Sequence, residues 1–359
     1  MAPPRLPSSV EYRILRSLCE LSPRVQRRLF GPPPEIDGQV LAPDINVILK
    51  MAARAGETSL TGGLPPEQAR AMVRRSAAAT DGPPIPMAEL LEFELPGAEG
   101  ALKARFYVPH SAPPPPRPML VHYHGGGWMV GDLETHDSAC RFLAAHSGAS
   151  VLSTTYRLAP EHPFPAAVED AHASFLWANA LAGELGADPG RIAVGGDSAG
   201  ANLAAGVCIS MRDSGGPRPA MQLLIYPATE AIDPRPSRAL FAEGFKLTQL
   251  DIEHCERAYL PDKAMGYDQL ASVLRAPDLS GLPPAYVATA GFDPLRDEGE
   301  EYAARMSAAG VQVALRRHPR LAHLFANLTA VSRSARAAML EAAGALRMGL
   351  AAAPSGHAD

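Results

Sequence analysis

The sequence predicts an α/β domain, with a mostly parallel central sheet, helices on both faces and a helical cap above it. Three observations point there. Short apolar runs alternate with helical patterns over most of the chain. One of those runs leads through Gly196-Asp197-Ser198-Ala199-Gly200 into a small-residue helical stretch. The first eighty or so residues carry helical patterns and no strand signal.

Composition sets the outer limits. The 359 residues suffice for one large domain with an appendage, and 20% charged with 47% apolar residues is ordinary for a globular protein. A formal charge of −5 argues against a nucleic-acid partner, because phosphate recognition needs a basic face. No run approaches the roughly eighteen apolar residues of a membrane span, and residues 1–10 lack the apolar core of a secretory signal, so no stable membrane insertion is expected. Cys19, Cys140, Cys208 and Cys255 are scattered, which suggests neither a zinc knuckle nor a disulfide framework; reduced thiols in a cytoplasmic protein are the expectation.

In chain order, residues 13–30 repeat Ile14, Leu15, Leu18, Leu21, Val25 and Leu29 at helical spacing with arginines between them. That is one or two helices, read either as a solvated arginine face over a packed apolar one or as a basic surface for a membrane. Helical stretches follow at 45–54 and at 65–79, the second opened by Pro65-Pro66. Residues 89–95 and 102–108, joined by Pro96-Gly97-Ala98-Glu99-Gly100, read as a hairpin. The proline run 113–116 is a stiff connection.

Strand-like runs then appear at 119–121, 150–152, 192–194, 223–225, 285–288 and 311–315. Helical patterns at 136–146, 166–185, 201–212 and 298–309 lie between most of them, which implies a parallel sheet. The stretch 229–276 breaks the rhythm and carries a further helical pattern at 248–259. The expected organisation is therefore a cap segment at 1–85 and a catalytic domain at 86–359, with 229–276 supplying a second cap segment.

Gly196 to Gly200 fits G-x-S-x-G, in which small flanking residues let the chain double back so that the serine sits at the tip of a strand-to-helix turn. Ser198 is the candidate nucleophile. The run His124-Gly125-Gly126-Gly127-Trp128 follows a strand, and its bare backbone lets amide N–H groups approach a ligand oxygen. Gly126 and Gly127 are candidate oxyanion donors beside the N–H of Ala199. Phosphate binding is the rival use of such a loop, but neither G-x-G-x-x-G nor a P-loop lysine is present. His124 reads as a loop organiser.

The acid is expected after a late strand, where Asp293 sits at the carboxyl end of 285–290. Asp297 and Glu298, one turn on, read as caps or charges at the start of the next helix. The base is expected after the last strand. His318 lies close to that strand's end, and His323, five residues along a loop and ahead of a helix near Phe325, has the reach to return over Ser198.

Together these stretches resemble the hormone-sensitive lipase family, the bacterial group IV esterases of the α/β-hydrolase fold, in the Gly-Asp-Ser-Ala-Gly subgroup. The residues that carry the resemblance are His124 to Trp128, Tyr156-Arg157-Leu158-Ala159-Pro160-Glu161-His162, Phe164-Pro165-Ala166-Ala167, Gly196 to Gly200, Asp293-Pro294-Leu295-Arg296-Asp297-Glu298 and His323-Leu324-Phe325. They extend from about residue 90 to the C-terminus.

The resemblance implies Ser198 as nucleophile, Asp293 as acid, His323 as base and Gly126, Gly127 and Ala199 as the oxyanion hole. It further implies short- to medium-chain carboxylesters as substrates, no metal or cofactor and, at the level of the family alone, a homodimer. The chain departs from the family pattern at Leu324, where glycine is usual. Trp128, Phe241, Phe245 and Leu247 are candidate pocket residues, set against ordinary cap packing for each. A ligand-binding protein on the same fold, or an amidase or deacetylase with the same three residues, are the alternatives.

Overall fold

In the computed structural model, which describes residues 6–353, an eight-stranded sheet runs through the molecule in the order β10-β9-β8-β7-β5-β6-β4-β3. Its members are β3 (Glu89–Pro96), β4 (Ala101–Val108), β5 (Arg117–Tyr123), β6 (Ser150–Thr154), β7 (Ala187–Asp197), β8 (Gln222–Ile225), β9 (Ala285–Phe292) and β10 (Val313–Ala322). β4 is antiparallel to both of its neighbours, and the pairs from β6 through β5, β7, β8 and β9 to β10 are parallel. Among the described residues no helix is long and apolar enough to cross a membrane.

The strands bury both faces, as parallel sheets under helices do. Met119, Val121 and Tyr123 of β5 join Val194 and Leu224 on the face covered by α6 (Ala166–Ala180), α7 (Ala199–Ser214) and α10 (Arg296–Ala308). Leu120, one residue out of step, joins Ala193 and Leu223 on the face covered by α5 (Asp137–Ser147) and α11 (Arg333–Ala352).

The N-terminal segment forms α1 (Ser8–Glu20), α2 (Pro23–Phe30), α3 (Pro43–Arg54) and α4 (Pro66–Ala78), the last three opening on proline at the first helical turn. It is not free of strands. Asp37-Gly38, both at positive φ, turn the two-residue strands β1 (Glu35–Ile36) and β2 (Gln39–Val40) into a hairpin. Asp44 of α3 accepts hydrogen bonds from Ser332 Oγ (2.7 Å) and Ser334 Oγ (2.8 Å), so this part of the segment docks beside the start of α11.

The insertion holds α8 (Pro236–Leu240) and α9 (Gln249–Tyr259), the latter opened by a capping box between Thr248 and Asp251. Asp251 also accepts the N–H groups of Leu60 (3.0 Å) and Thr61 (2.7 Å), which ties the insertion to the N-terminal segment.

Two boundaries differ from expectation. β10 continues to Ala322, through an irregularity between His318 and Ala322, so His318 lies inside the strand and His323 directly follows it. Phe325–Leu328 is one 3-10 turn, and the long final helix starts only at Arg333.

Candidate active site

Ser198 occupies the turn between β7 and α7 at φ 55°, ψ −119°, a conformation that costs a side-chain-bearing residue about 1–3 kcal/mol and persists only where neighbours enforce it. Two close approaches enforce it. Gly200 packs so tightly on the Tyr123 carbonyl that a Cβ there would overlap it. The Ser198 N–H donates to Ile225 O (2.9 Å) of β8, and its carbonyl accepts from Ala228 N (3.2 Å).

β9 and β10 deliver the other two groups together. Phe292 pairs with Ala322 across the parallel ladder, so the next residue of each strand, Asp293 and His323, emerges at the same sheet edge. His323 Nδ1 lies 2.7 Å from Asp293 Oδ2, and His323 Nε2 lies 3.1 Å from Ser198 Oγ. Asp293 is fully buried and also accepts the Leu295 N–H at 2.8 Å. In the tautomer whose Nδ1 donates to Asp293, Nε2 is left to accept a hydrogen from the serine.

The glycine loop leaves β5 with Gly126 at φ 121° and Gly127 at φ 58°. A Cβ on Gly126 would run into the Val130 carbonyl, and one on Gly127 into the Cys255 thiol of α9. Among the described residues the N–H groups of Gly126, Gly127 and Ala199 donate to no acceptor. His124 shapes this loop from behind. Its ring stacks on Tyr156 (4.3 Å between centroids), whose hydroxyl donates to the His124 carbonyl at 2.7 Å. Burial lowers the pKa of His124 to about 4, so its imidazole is neutral.

Asp197, the variable residue of the serine motif, is buried beneath this arrangement. Its Oδ1 accepts from Gly125 N (3.0 Å) and faces His136 Nε2 (3.2 Å), while its Oδ2 accepts from the Tyr226 hydroxyl at 3.3 Å. Burial alone would raise the Asp197 pKa, but the charge and hydrogen bond of His136 outweigh it and hold the carboxyl below its usual range. Burial alone would likewise lower His136, and Asp197 reverses it, so the imidazole is held above its usual value. The Tyr226 ring lies 4.4 Å from the His323 ring.

A cleft opens on Ser198, Gly127 and Ala199. Trp128, stacked on Tyr259 at 4.4 Å, lines it, as does Leu247. Phe241 and Phe245 do not. Both pack with tilted rings on Phe292, at 5.6 and 5.2 Å between centroids, inside the core, because their aromatic area is better buried there than at a polar cleft.

Asp297 and Glu298 stand in the first turn of α10, as expected, and each also makes contacts beyond that helix. No side chain caps α10; Asp297 accepts from Ser237 N (2.8 Å), and the fully buried Glu298 accepts from Thr229 N (2.7 Å) and Glu230 N (3.2 Å). Sequence reasoning missed Leu60, Ile252 and Cys255 in the cleft wall and the contacts of Tyr226, none of which carries a local signal.

A family model described as the α/β hydrolase fold matches residues 120–327. Carboxylic ester hydrolase LipN of Mycobacterium tuberculosis is 45% identical over 318 residues, covering 87% of this chain and 84% of that protein. Carboxylesterase NlhH of the same organism is 40% identical over 301 residues, covering 81% and 92%. Among solved structures, the hyperthermophilic esterase of the archaeon Pyrobaculum calidifontis superposes with a TM-score of 0.80 at 37% identity, covering 86% of this chain and 99% of that one. The chain belongs to the α/β hydrolase fold family, in its hormone-sensitive-lipase-like branch.

Proposed function

We propose that the protein is a serine carboxylesterase acting on short- to medium-chain acyl esters. In this reading Ser198 is the nucleophile, His323 the base, and Asp293 the group that orients the base. The N–H groups of Gly126, Gly127 and Ala199 receive the oxyanion. The observation that carries it is the continuous contact from Asp293 through His323 to the Ser198 hydroxyl, at 2.7 and 3.1 Å.

A serine hydroxyl is a weak nucleophile at its own pKa. His323 Nε2 takes its proton as Oγ attacks the ester carbonyl, and the Asp293 carboxylate stabilises the imidazolium so formed. Each N–H that meets the tetrahedral oxyanion contributes about 3 kcal/mol in the transition state, and α7 adds its N-terminal dipole. His323 then passes the proton to the departing alcohol, and water, activated by the same imidazole, releases the acid from Ser198.

Residues 1–85 and 229–276 act in this reading as two cap segments. Support comes from Leu60 and Leu247, one from each, which line the cleft side by side in one apolar cluster with Ile252 and Leu295.

The test is hydrolysis of p-nitrophenyl acetate, butyrate and longer esters with Ser198→Ala as control. Turnover that falls with chain length and drops about 10³-fold or more in the variant supports the reading. Wild type no faster than the variant overturns it in favour of ligand binding without chemistry.

A further inference from the structure

The cleft has a sidedness. It is lined by Ser198, Gly127 and Ala199 but not by His323. The departing alcohol must lie against His323, from which it takes its proton, so the cleft receives the acyl half of the ester. This step rests on the esterase reading above.

One wall of that acyl cleft is apolar, built from Leu60, Leu247, Ile252 and Leu295. The other is polar and buried. Arg238 of α8, 5% exposed, donates through Nε to Gln249 Oε1 (3.1 Å) and through Nη2 to Glu256 Oε1 (2.5 Å). Its Nη1 meets no acceptor among the described residues. Glu298 stands in the same wall with one oxygen holding the two backbone N–H groups and the other without a hydrogen-bond partner. A plain alkyl chain laid against this wall covers charged N–H donors and returns nothing to them. An oxygen on the chain removes that penalty.

We propose that Arg238 Nη1 hydrogen-bonds an oxygen carried by the acyl chain, so that the preferred substrates are esters of short hydroxy- or oxo-acids. A neutral oxygen suits the wall better than a charged group. The guanidinium is already matched by Glu256, and Glu230 is matched by Arg275 at 2.9 Å. Burial pushes Glu298 up to about 8, which leaves it mostly protonated at neutral pH, so it adds no second charge to the wall.

The experiment compares kcat/KM for ethyl butyrate, ethyl 3-hydroxybutyrate, ethyl acetoacetate, ethyl 3-aminobutyrate and 2-hydroxyethyl butyrate, the last carrying its hydroxyl on the alcohol side. For the wild type, the hydroxy- or oxo-acyl ester is expected to exceed ethyl butyrate about tenfold or more, with no gain for 2-hydroxyethyl butyrate. In Arg238→Met, and in Arg238→Met combined with Glu256→Gln to avoid an orphaned carboxylate, the ratio between oxygenated and plain acyl esters is expected to fall to about one, whatever the absolute rates.

A wild-type ratio near one, with ethyl butyrate turned over by wild type and not by Ser198→Ala, overturns this proposal and leaves the esterase reading intact. A ratio unchanged by both variants, a gain confined to the alcohol-side hydroxyl, or a preference for ethyl 3-aminobutyrate also overturns it. If no ester is hydrolysed, both readings fall. The wild-type ratio alone decides the matter if the variants do not fold.

Discussion

Asp197 Oδ1 accepts the N–H of Gly125 at 3.0 Å, so the turn that carries Ser198 and the loop that carries Gly126 and Gly127 are held by one carboxylate. The N–H groups proposed to receive the oxyanion follow strands β7 and β5, and this bond ties the two loops together. His136 Nε2 faces the same oxygen from the far side, at 3.2 Å, and the carboxylate raises the imidazole's pKa above its usual value.

Asp197→Asn is expected to leave the buried His136 imidazole without its carboxylate partner, an uncompensated charge wherever the ring is protonated. Breaking such a pair costs about 3–5 kcal/mol. The cost has a pH window. The contribution of Asp197, whose folded pKa is depressed, is present above its ordinary value of 3.8 and lost as pH falls through the folded value. That of His136, whose folded pKa is raised, is present below 6.5 and lost as pH rises through the folded value. Urea unfolding should therefore show the largest wild-type advantage between these limits and a smaller one at pH 9. The variant's kcat should fall more than its KM rises, because the hole, not the cleft wall, loosens.

Asp293→Asn is expected to lower kcat on the order of 10⁴-fold, since the amide no longer holds the imidazole in its working tautomer. Asp297→Asn removes only contacts to Ser237 N and Arg296 and should cost less than about tenfold. Steady-state kinetics on p-nitrophenyl butyrate decide it, and the opposite ranking would refute the role given to Asp293.

Glu298→Gln keeps an oxygen for the Thr229 and Glu230 N–H groups but cannot ionise. Glu298 has an ordinary value of 4.5 and a folded value of about 8, raised by burial, so in the native protein it keeps its proton where the unfolded chain loses it. Its contribution to stability is greatest below pH 4.5 and shrinks as pH rises towards 8. The wild type should therefore lose stability over this interval, by an amount on the order of a few kcal/mol, and Glu298→Gln should flatten that slope. Thermal melts at pH 5 and pH 8 measure it.

Leu60→Ala and Leu247→Ala each remove volume from the apolar wall and should shift the preferred p-nitrophenyl ester to a longer chain. Each should cost about 2–5 kcal/mol of stability. The double variant should depart from additivity because both side chains belong to one cluster. Ester-length profiles and urea midpoints of the four proteins complete the cycle.

Much of the fold and of the candidate site could be read from local pattern. The alternation of strands and helices, the Ser198 turn and the glycine run are each contained within a few consecutive residues. What stayed hidden depends on register and on distant packing. The end of β10 was masked because Arg316, Arg317 and Arg320 interrupt its apolar run while pairing with β9 carries the strand on to Ala322. Phe241 and Phe245 look like pocket residues in a cap, yet Phe292 draws them into the core. Leu324 adopts φ 69°, the left-handed region in which glycine is cheapest, and its side chain packs on the Leu60 cluster. The sequence shows the departure but not that compensating contact.

Leu60 belongs to a segment that supplies none of the groups placed at Ser198, and Leu247 to another. Mutational drift in either can reshape which acids the protein releases while its chemistry stays under separate selection. Paralogues of this architecture can thus diverge in diet without any trial of the machinery itself, and an engineer can recombine caps between them for the same reason.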